Sequence, residues 1–246
     1  MLNKKLLPAA LATSLLAGAT VTQVAHADME ISGNVALTSD YRFRGISQSD
    51  EDIAIQGGFD LGWDTGIYVG AWGSSVDFNG VDGEGFDGSL ELDYYVGWAS
   101  DIGDSGFAID VGYLYYDYPG DSSSGEGDYQ ELYGSLSWND LAVGMAYSDD
   151  YYGETDTFFY YYADYSLGIN DTFTIDFHVG YNDLEKNGGF LATDEDSYID
   201  YSVGVTASWL AVDWTLAYVG TDLDEEDVFD TEWGDDSIIF TISKSM

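Results

Sequence analysis

The chain of 246 residues has no cysteine, only two prolines, and six lysines and arginines in total. Without cysteine there is no disulfide framework and no thiolate metal site. The six basic residues stand against 46 acidic ones, and this balance excludes the basic patches that bind nucleic acid. Strong acidity is also typical of disordered chains, but an aromatic content of 16% favours an ordered fold here.

Long apolar runs are missing as well. After residue 27 no stretch approaches the roughly 20 apolar residues that a transmembrane helix needs. Any part of the remaining chain that crosses a membrane must therefore do so with strands.

The first 27 residues have the pattern of a cleaved secretory signal peptide. Lys4 and Lys5 give a positive start, residues 6–19 are apolar, and residues 25–27 form a small-x-small cleavage site. A membrane anchor is the alternative, but this apolar core is shorter than the roughly 17 residues that the shortest spanning helices use. We expect an exported protein whose mature part, residues 28–246, forms one domain.

The mature chain repeats one pattern, in which about ten residues alternate between apolar and polar before a break. Such alternation is typical of strands, because successive side chains point to opposite faces. Twelve segments follow it: 31–48, 53–64, 67–78, 89–99, 107–118, 129–138, 141–151, 157–167, 172–181, 198–209, 212–221 and 237–246. In the first segment Tyr41 and Phe43 fall on the apolar side, while Arg42 and Arg44 fall on the polar side.

The breaks alternate between short turns and long acidic loops. Short turns lie at 64–66, 100–105, 139–140, 168–171 and 210–211. Long, glycine-rich loops lie around 46–52, 79–88, 119–128, 150–156, 182–197 and 222–236. This alternation is typical of outer-membrane barrels, with the long loops facing outward and both termini on the short-turn side.

Aromatic residues are placed at two levels. Tryptophans lie beside the short turns: Trp63, Trp98, Trp138, Trp209 and Trp214. Tyrosines lie toward the other end of the segments: Tyr41, Tyr115, Tyr147, Tyr181 and Tyr218. Two aromatic levels around an apolar band form the girdles of a membrane barrel.

We therefore predict an all-β fold, a 12-stranded antiparallel up-and-down transmembrane β-barrel in the cell outer membrane. The alternative is a soluble β-sandwich or enclosed soluble barrel, which also alternates. Acids and glycines repeated on one face, with tryptophan repeated at one rim, favour the membrane barrel.

Several blocks resemble a known family. NVALTSDYRFRGISQSD, AIQGGFD and GIYVGAWGSSVDF are similar to the start of TorF-type porins, and the SDYRFRGISQ block is the most specific. Further similar blocks are ELDYYVGW, YLYYDYPG, QELYGSLSW, AYSDDYYG, FHVGYN, DYSVGVTASW and AYVGTD. The resemblance covers essentially the whole mature chain and implies a Gram-negative outer-membrane porin without catalytic residues. Ile53 departs from the family's pattern, which often has proline before the alanine of AIQGG, and this puts only a loop turn in doubt.

If the apolar faces meet lipid, the opposite faces line a lumen. The charged candidates for lining or constricting a pore are Asp40, Arg42, Arg44, Glu91, Asp93, Asp110, Glu131, Asp176, His178 and Asp200. Arg42 and Arg44 lie near the outward mouth, at the level of Glu91 and Asp93. This predicts a charged constriction or plug in which arginine opposes carboxylates. The alternative is an ion-paired network that merely fills the lumen.

His178 is the only histidine after the leader, and it shares the lumen face with Asp176. A hydrolase would need a serine within reach of this histidine. No G-x-S-x-G nucleophile elbow occurs. We expect no enzymatic activity, and interpret His178 as a lumen residue paired with a carboxylate.

The acidic loops 81–88 and 220–230 carry oxygen ligands that suit hard cations, but neither has the spacing of a twelve-residue calcium loop. We therefore expect no cofactor and no specific metal site. Diffuse divalent cations would bridge these loops to lipopolysaccharide phosphates. The predicted function is a porin-like, cation-preferring channel for small hydrophilic solutes or ions, surrounded by outer-membrane lipid. The alternative is a non-conducting surface barrel whose acidic loops bind divalent cations, the envelope or a partner.

Overall fold

The computed structural model describes residues 29–78, 88–120, 127–185 and 189–246. They form one closed barrel of twelve antiparallel strands, in which each strand pairs with its neighbours in the chain and β1 pairs with β14. The barrel strands are β1 (Met29–Thr38), β4 (Ala54–Trp63), β5 (Ile67–Ser75), β6 (Leu90–Asp101), β7 (Phe107–Asp117), β8 (Tyr129–Trp138), β9 (Leu141–Ser148), β10 (Phe158–Gly168), β11 (Phe173–Leu184), β12 (Ser197–Trp209), β13 (Val212–Thr221) and β14 (Ser237–Ser245). Two shorter strands, β2 (Arg42–Phe43) and β3 (Ile46–Ser47), form a separate hairpin.

The predicted fold class is confirmed. β8 and β13 begin and end at the predicted residues, and most other strands differ from their predicted bounds by one to three residues. The predicted leader at 1–27 and most of the acidic loop at 79–88 lie outside the described residues. No helix in the described part of the chain is long and apolar enough to cross a membrane.

The outer surface of the barrel is apolar and the inner surface is polar. Phe59 at the middle of β4 is 71% exposed, whereas Glu131 and Thr241 point inward and are 1% exposed. The tryptophans beside the short turns are all at least 37% exposed on the outer face, as their spacing predicts: Trp63, Trp98, Trp138, Trp209 and Trp214. The sheet therefore presents its apolar face outward, the reverse of a soluble barrel.

Glycines on the inner face make room for tyrosine rings. Across β6 and β5, Gly97 lies opposite Tyr68. Across β7 and β8, Gly112 lies opposite Tyr133. A Cβ on either glycine would overlap the ring of the opposite tyrosine. The rings thus lie flat against the barrel wall, over glycines that have no side chain to block them.

The first predicted strand, 31–48, is wrong beyond Thr38. There β1 ends, and residues 39–53, which we call the plug, lie across the outward end of the barrel. Tyr41 is 3% exposed and therefore not part of a lipid-facing girdle, and Phe43 packs against Tyr116 with ring centroids 5.7 Å apart. The alternation continues through the plug because a hairpin has the same two-residue period as a straight strand.

The seam that closes the barrel is the shortest strand pairing in it. β1 and β14 pair at five positions, from Asn34 with Ser245 to Thr38 with Thr241. On its other side β1 pairs with β4 at ten positions. A hydrogen bond of 2.9 Å between the hydroxyl groups of Thr38 and Thr241 lies at the outward end of this seam.

Candidate functional site

The plug is positioned by a tight hairpin. β2 and β3 are joined by Arg44 and Gly45, whose φ angles of 48° and 84° are typical of the type I′ turn of a two-residue hairpin loop. A Cβ on Gly45 would overlap the methyl group of Thr221 and lie 3.0 Å from the Cβ of Asp200. The tip of the hairpin is therefore pressed against the wall formed by β12 and β13, where only glycine fits.

Arg42 fastens the plug to the loop between β13 and β14. Its Nε donates to a carboxylate oxygen of Asp40, and its Nη2 donates to Oε1 of Glu51 at 3.0 Å. Its Nη1 donates to the backbone carbonyls of Trp233 and Asp235, the latter at 3.0 Å. A guanidinium carries five N–H donors, so one buried arginine can hold both segments together.

Arg44 lies in a cage of aromatic rings closed by one carboxylate. Its Nη2 lies 2.8 Å from Oε1 and 2.9 Å from Oε2 of Glu131 on β8, and its Nη1 donates to the hydroxyl of Tyr151 at 3.1 Å. Its Cζ lies 4.3 Å from the ring centroid of Tyr160 and 4.8 Å from that of Phe158, both on β10. We call Glu131, Tyr151, Phe158 and Tyr160 the Arg44 cage; a guanidinium over such rings within about 6 Å makes cation–π contacts.

Burial sets the protonation states in and near the plug. Desolvation raises the pKa of Tyr151 to about 12, although the neighbouring Arg44 opposes the rise. Desolvation and the nearby carboxylates of Glu91 and Asp93 raise the pKa of Tyr41 well above its ordinary value. Desolvation lowers the pKa of Arg44, but the charge of Glu131 and the surrounding tyrosines together raise it by more. The pKa of Arg44 is therefore well above its ordinary value. At neutral pH the tyrosines are neutral and Arg44 is charged.

Glu91 and Asp93 form a second acidic group beneath the plug. The hydroxyl of Tyr41 donates to Oε1 of Glu91 at 3.1 Å. Oε2 of Glu91 and Oδ1 of Asp93 are buried and have no hydrogen-bond partner among the described residues. Tyr116 lies opposite Asp93 across β6 and β7 and donates to Glu131 at 3.1 Å, so it separates the two acidic groups.

The arginines oppose carboxylates, but these are not Glu91 and Asp93, which the sequence places at their level. Arg42 pairs with Asp40 and Glu51, and Arg44 pairs with Glu131, instead of Glu91 and Asp93. The reason is the turn at Thr38, which carries both arginines inward and away from the straight path of β1.

His178 lies between two carboxylates deeper in the lumen. Its Nδ1 is 2.6 Å from Oδ1 of Asp164, and its Nε2 is 2.8 Å from Oδ1 of Asp200. The hydroxyl of Tyr160 lies 2.8 Å from the same Nε2, which joins this group to the Arg44 cage. An imidazolium donating from both nitrogens satisfies this arrangement.

Asp176 is not the partner of His178, although the two share a face of β11. Asp176 accepts a hydrogen bond of 2.7 Å from Ser166. Asp164 lies directly opposite His178 in the pairing of β10 with β11. Directly opposed residues on neighbouring strands are closer than residues two apart along one strand, so register decides the partner.

All ten predicted site residues face the interior. Nine are at most 8% exposed: Asp40, Arg42, Arg44, Glu91, Asp93, Asp110, Glu131, Asp176 and Asp200. The side chain of His178 is 14% exposed. Asp110 lies apart from the plug and accepts a hydrogen bond of 2.6 Å from the hydroxyl of Tyr68.

The family of the chain follows from a comparison over most of its length. The family model described as "Bacterial protein of unknown function (Gcw_chp)" matches residues 22–246. The chain belongs to this family. No curated protein matches it. The resemblance to TorF-type porins stays a prediction, because the matched family is not described in those terms.

The Gcw_chp barrel is also similar to solved structures of low sequence identity. The NanC porin is 14% identical, with 87% of this chain and 97% of that chain covered and a TM-score of 0.54. A chain from a study of the in-meso crystallization of membrane proteins is 9% identical, with 88% and 83% covered and a TM-score of 0.52. An outer membrane channel from Pseudomonas putida F1 is 11% identical, with 94% and 99% covered and a TM-score of 0.49. The first of these likenesses shows that this Gcw_chp protein shares the fold of the NanC porin.

Some residues of the site in this Gcw_chp protein are not predicted from the sequence. Phe158 and Tyr160 share the face of Asp164 on β10, so the two-residue period could have placed them in the lumen. Tyr151 ends the predicted segment 141–151 but lies in the loop after β9, and Trp233 lies in the loop between β13 and β14. Their inward position follows only from the path of the plug.

The loop at 220–230 uses some of its acids for its own structure. Asp224 and Asp227 cap a short 3-10 helix, Glu225–Val228, and Thr193 also donates to Asp227. Within the described ranges no group of three or more histidine, aspartate or glutamate side chains is placed to hold a metal ion.

Proposed function

We propose that this Gcw_chp barrel is an outer-membrane channel through which small hydrophilic solutes or ions diffuse passively, with a preference for cations. The observation that carries the proposal is the excess of acidic over basic side chains in its interior. Seven inward carboxylates are buried there: Asp40, Glu91, Asp93, Asp110, Glu131, Asp176 and Asp200. Among the described residues, only Arg42, Arg44 and His178 oppose them. Charged side chains lining a pore select ions of the opposite sign, so this interior favours cations.

The plug makes this a gated channel. Its contacts reach Glu91 on β6, Glu131 on β8, Thr221 on β13 and the loop that holds Trp233. These contacts cross the outward mouth, so a solute passes only when residues 39–53 move. Most of these contacts are individual side-chain hydrogen bonds and ion pairs. They can break while the strand pairing of the barrel stays intact.

The surroundings of the channel follow from its surfaces. Outer-membrane lipid would contact the apolar outer face. Lipopolysaccharide would lie next to the acidic outward loops, with diffuse divalent cations between the two sets of negative charge. Export would depend on the signal peptide at residues 1–27.

Planar-bilayer recording tests the proposal. The purified protein is expected to give unitary conductance steps. In a KCl gradient its reversal potential is expected to be shifted toward the equilibrium potential of K⁺. The chain has no native cysteine, so Gly45→Cys with Thr221→Cys can tie the plug to the wall. Oxidation of the double variant is expected to suppress conductance, and dithiothreitol is expected to restore it. The conductance of each single variant should change with neither reagent. An anion-side reversal potential would overturn the cation preference.

A non-conducting surface barrel is the second candidate, and the filled mouth favours it. Eight acids of the outward loop at 222–236 are exposed on the surface that divalent cations or a partner would meet: Asp222, Asp224, Glu225, Glu226, Asp230, Glu232, Asp235 and Asp236. Replacing residues 40–52 by a glycine-serine linker separates the candidates. An open pore in this variant supports the channel, and a barrel that stays closed supports the surface protein.

A further inference from the structure

The Arg44 cage has the chemistry of a guanidinium receptor. Oε2 of Glu131 accepts a hydrogen bond from one guanidinium nitrogen, Oε1 lies 2.8 Å from the same nitrogen, and the rings of Phe158 and Tyr160 lie within 5 Å of the guanidinium carbon. Weakly hydrated planar cations stack on aromatic faces, and they pair with carboxylates more specifically than an ammonium point charge does. The plug thus supplies a cation to a site that the barrel builds.

The walls of the cage are held by the barrel and not by the plug. Glu131 accepts from Tyr116 at 3.1 Å. Tyr151 and Phe158 stack on each other with ring centroids 4.0 Å apart. Tyr160 is fixed by hydrogen bonds in the His178 group described above. The cage therefore keeps its shape when Arg44 leaves.

We propose that the Arg44 cage binds external solutes that carry a guanidinium group, and that such a solute replaces Arg44 and thereby releases the plug. This inference rests on the proposed channel function and names its solute class. Withdrawal of Arg44 alone would leave Glu131 buried without a counter-ion, which is strongly unfavourable. A guanidinium solute restores the ion pair during the exchange, whereas a neutral solute does not.

Free hydrogen-bond acceptors near the cage favour the entry of such a cation. Even with Arg44 in place, buried oxygens of Glu91 and Asp93 have no hydrogen-bond partner in the described ranges. These oxygens are therefore free to accept hydrogen bonds from an incoming guanidinium group before it reaches Glu131.

Binding to a vacant cage can be measured without a membrane. Purified Arg44→Ala in detergent would be heated with ethylguanidinium or with ethylurea, which has a similar shape and no charge. We expect millimolar ethylguanidinium to raise the Tm by about 2–4 °C. Ethylurea is expected to leave it unchanged, and Glu131→Gln in the same background is expected to weaken ethylguanidinium binding by about tenfold or more. Equal effects of the two solutes, or an unchanged affinity after Glu131→Gln, would overturn the inference.

The unaltered protein supplies the second measurement and covers the case in which Arg44→Ala fails to fold. In planar bilayers, outward-side ethylguanidinium is expected to increase the open fraction, while equimolar ethylurea or NaCl is not. If the protein conducts but its open fraction does not change with ethylguanidinium, the inference is overturned and the channel proposal stands. Absence of conductance under every condition, with Arg44→Ala still stabilised by ethylguanidinium, would overturn the channel proposal and support the cage.

Discussion

Arg44 at the tip of the plug and Glu131 on β8 form an ion pair of 2.8 Å in which both side chains are at most 2% exposed. Such a pair contributes little net stability relative to apolar packing, yet the loss of one partner is costly because the other stays buried and charged. The pair therefore fixes where the tip lies more than it stabilises the barrel.

Removal of the carboxylate is expected to release the plug. Glu131→Ala leaves Arg44 without its counter-ion and should lower the free energy of unfolding by about 3–5 kcal/mol if the plug stays in place. If the plug leaves instead, the barrel keeps more of its stability and trypsin gains access to Arg42 and Arg44, the only arginines of the chain. Denaturant titration followed by tryptophan fluorescence and trypsin digestion measure the two effects. Asp110→Asn is the control, because Asp110 accepts from Tyr68 away from the plug; equal trypsin sensitivity of both variants would contradict the role of Glu131.

Gly45→Ala is expected to displace the tip of the plug. The added methyl overlaps Thr221, and overpacking of this kind costs about 1–3 kcal/mol. Gly103→Ala is a matched control, since Gly103 also has a positive φ, 56°, but no atom within 4 Å of the added Cβ. Trypsin should cut Gly45→Ala after Arg42 and Arg44 faster than it cuts the control. Equal rates would show that the tip is not held against the wall.

Gly112→Ala is expected to disturb the lumen wall. The added methyl occupies the place of the Tyr133 ring, whose hydroxyl contacts that of Tyr68 at 2.5 Å, and the free energy of unfolding should fall by about 1–3 kcal/mol. Gly134→Ala is the control, because its Cβ would meet only ordinary contacts at 3.5 Å and beyond. Both free energies come from denaturant titration in detergent. If Gly134→Ala lowers the free energy of unfolding as much as Gly112→Ala does, Gly112 is not needed to make room for the Tyr133 ring.

A charge on the outer face tests membrane insertion. Phe59→Arg places a guanidinium at the middle of β4, where arginine at the bilayer midplane of a barrel costs about 2–4 kcal/mol. Ile169→Arg, in the short turn between β10 and β11, should cost less than about 1 kcal/mol, because the penalty falls near the interface. Unfolding from lipid vesicles measures both costs. In a soluble barrel neither substitution would carry a depth-dependent penalty.

The strands could be predicted from the sequence because two-residue alternation and turn residues act locally. The plug could not, because residues 39–48 keep the same alternation through the hairpin, and only Arg44–Gly45 signals the turn. The partners of His178 could not be predicted either. They depend on the register of β10, β11 and β12, and alternation within one strand leaves register open.

The short seam between β1 and β14 determines how the barrel has to be assembled. These strands are the two ends of the barrel chain, and the Thr38–Thr241 bond joins residues 203 positions apart. Entropy opposes contacts of such sequence distance most strongly, and the cost is offset by five paired positions with flanking backbone hydrogen bonds of Gly33 with Met246 and of Ser39 with Phe240. Every other strand pair can form by zippering onto its neighbour in the chain. We therefore expect closure between β1 and β14 to be the slow step of folding, reached when all other strands are already paired.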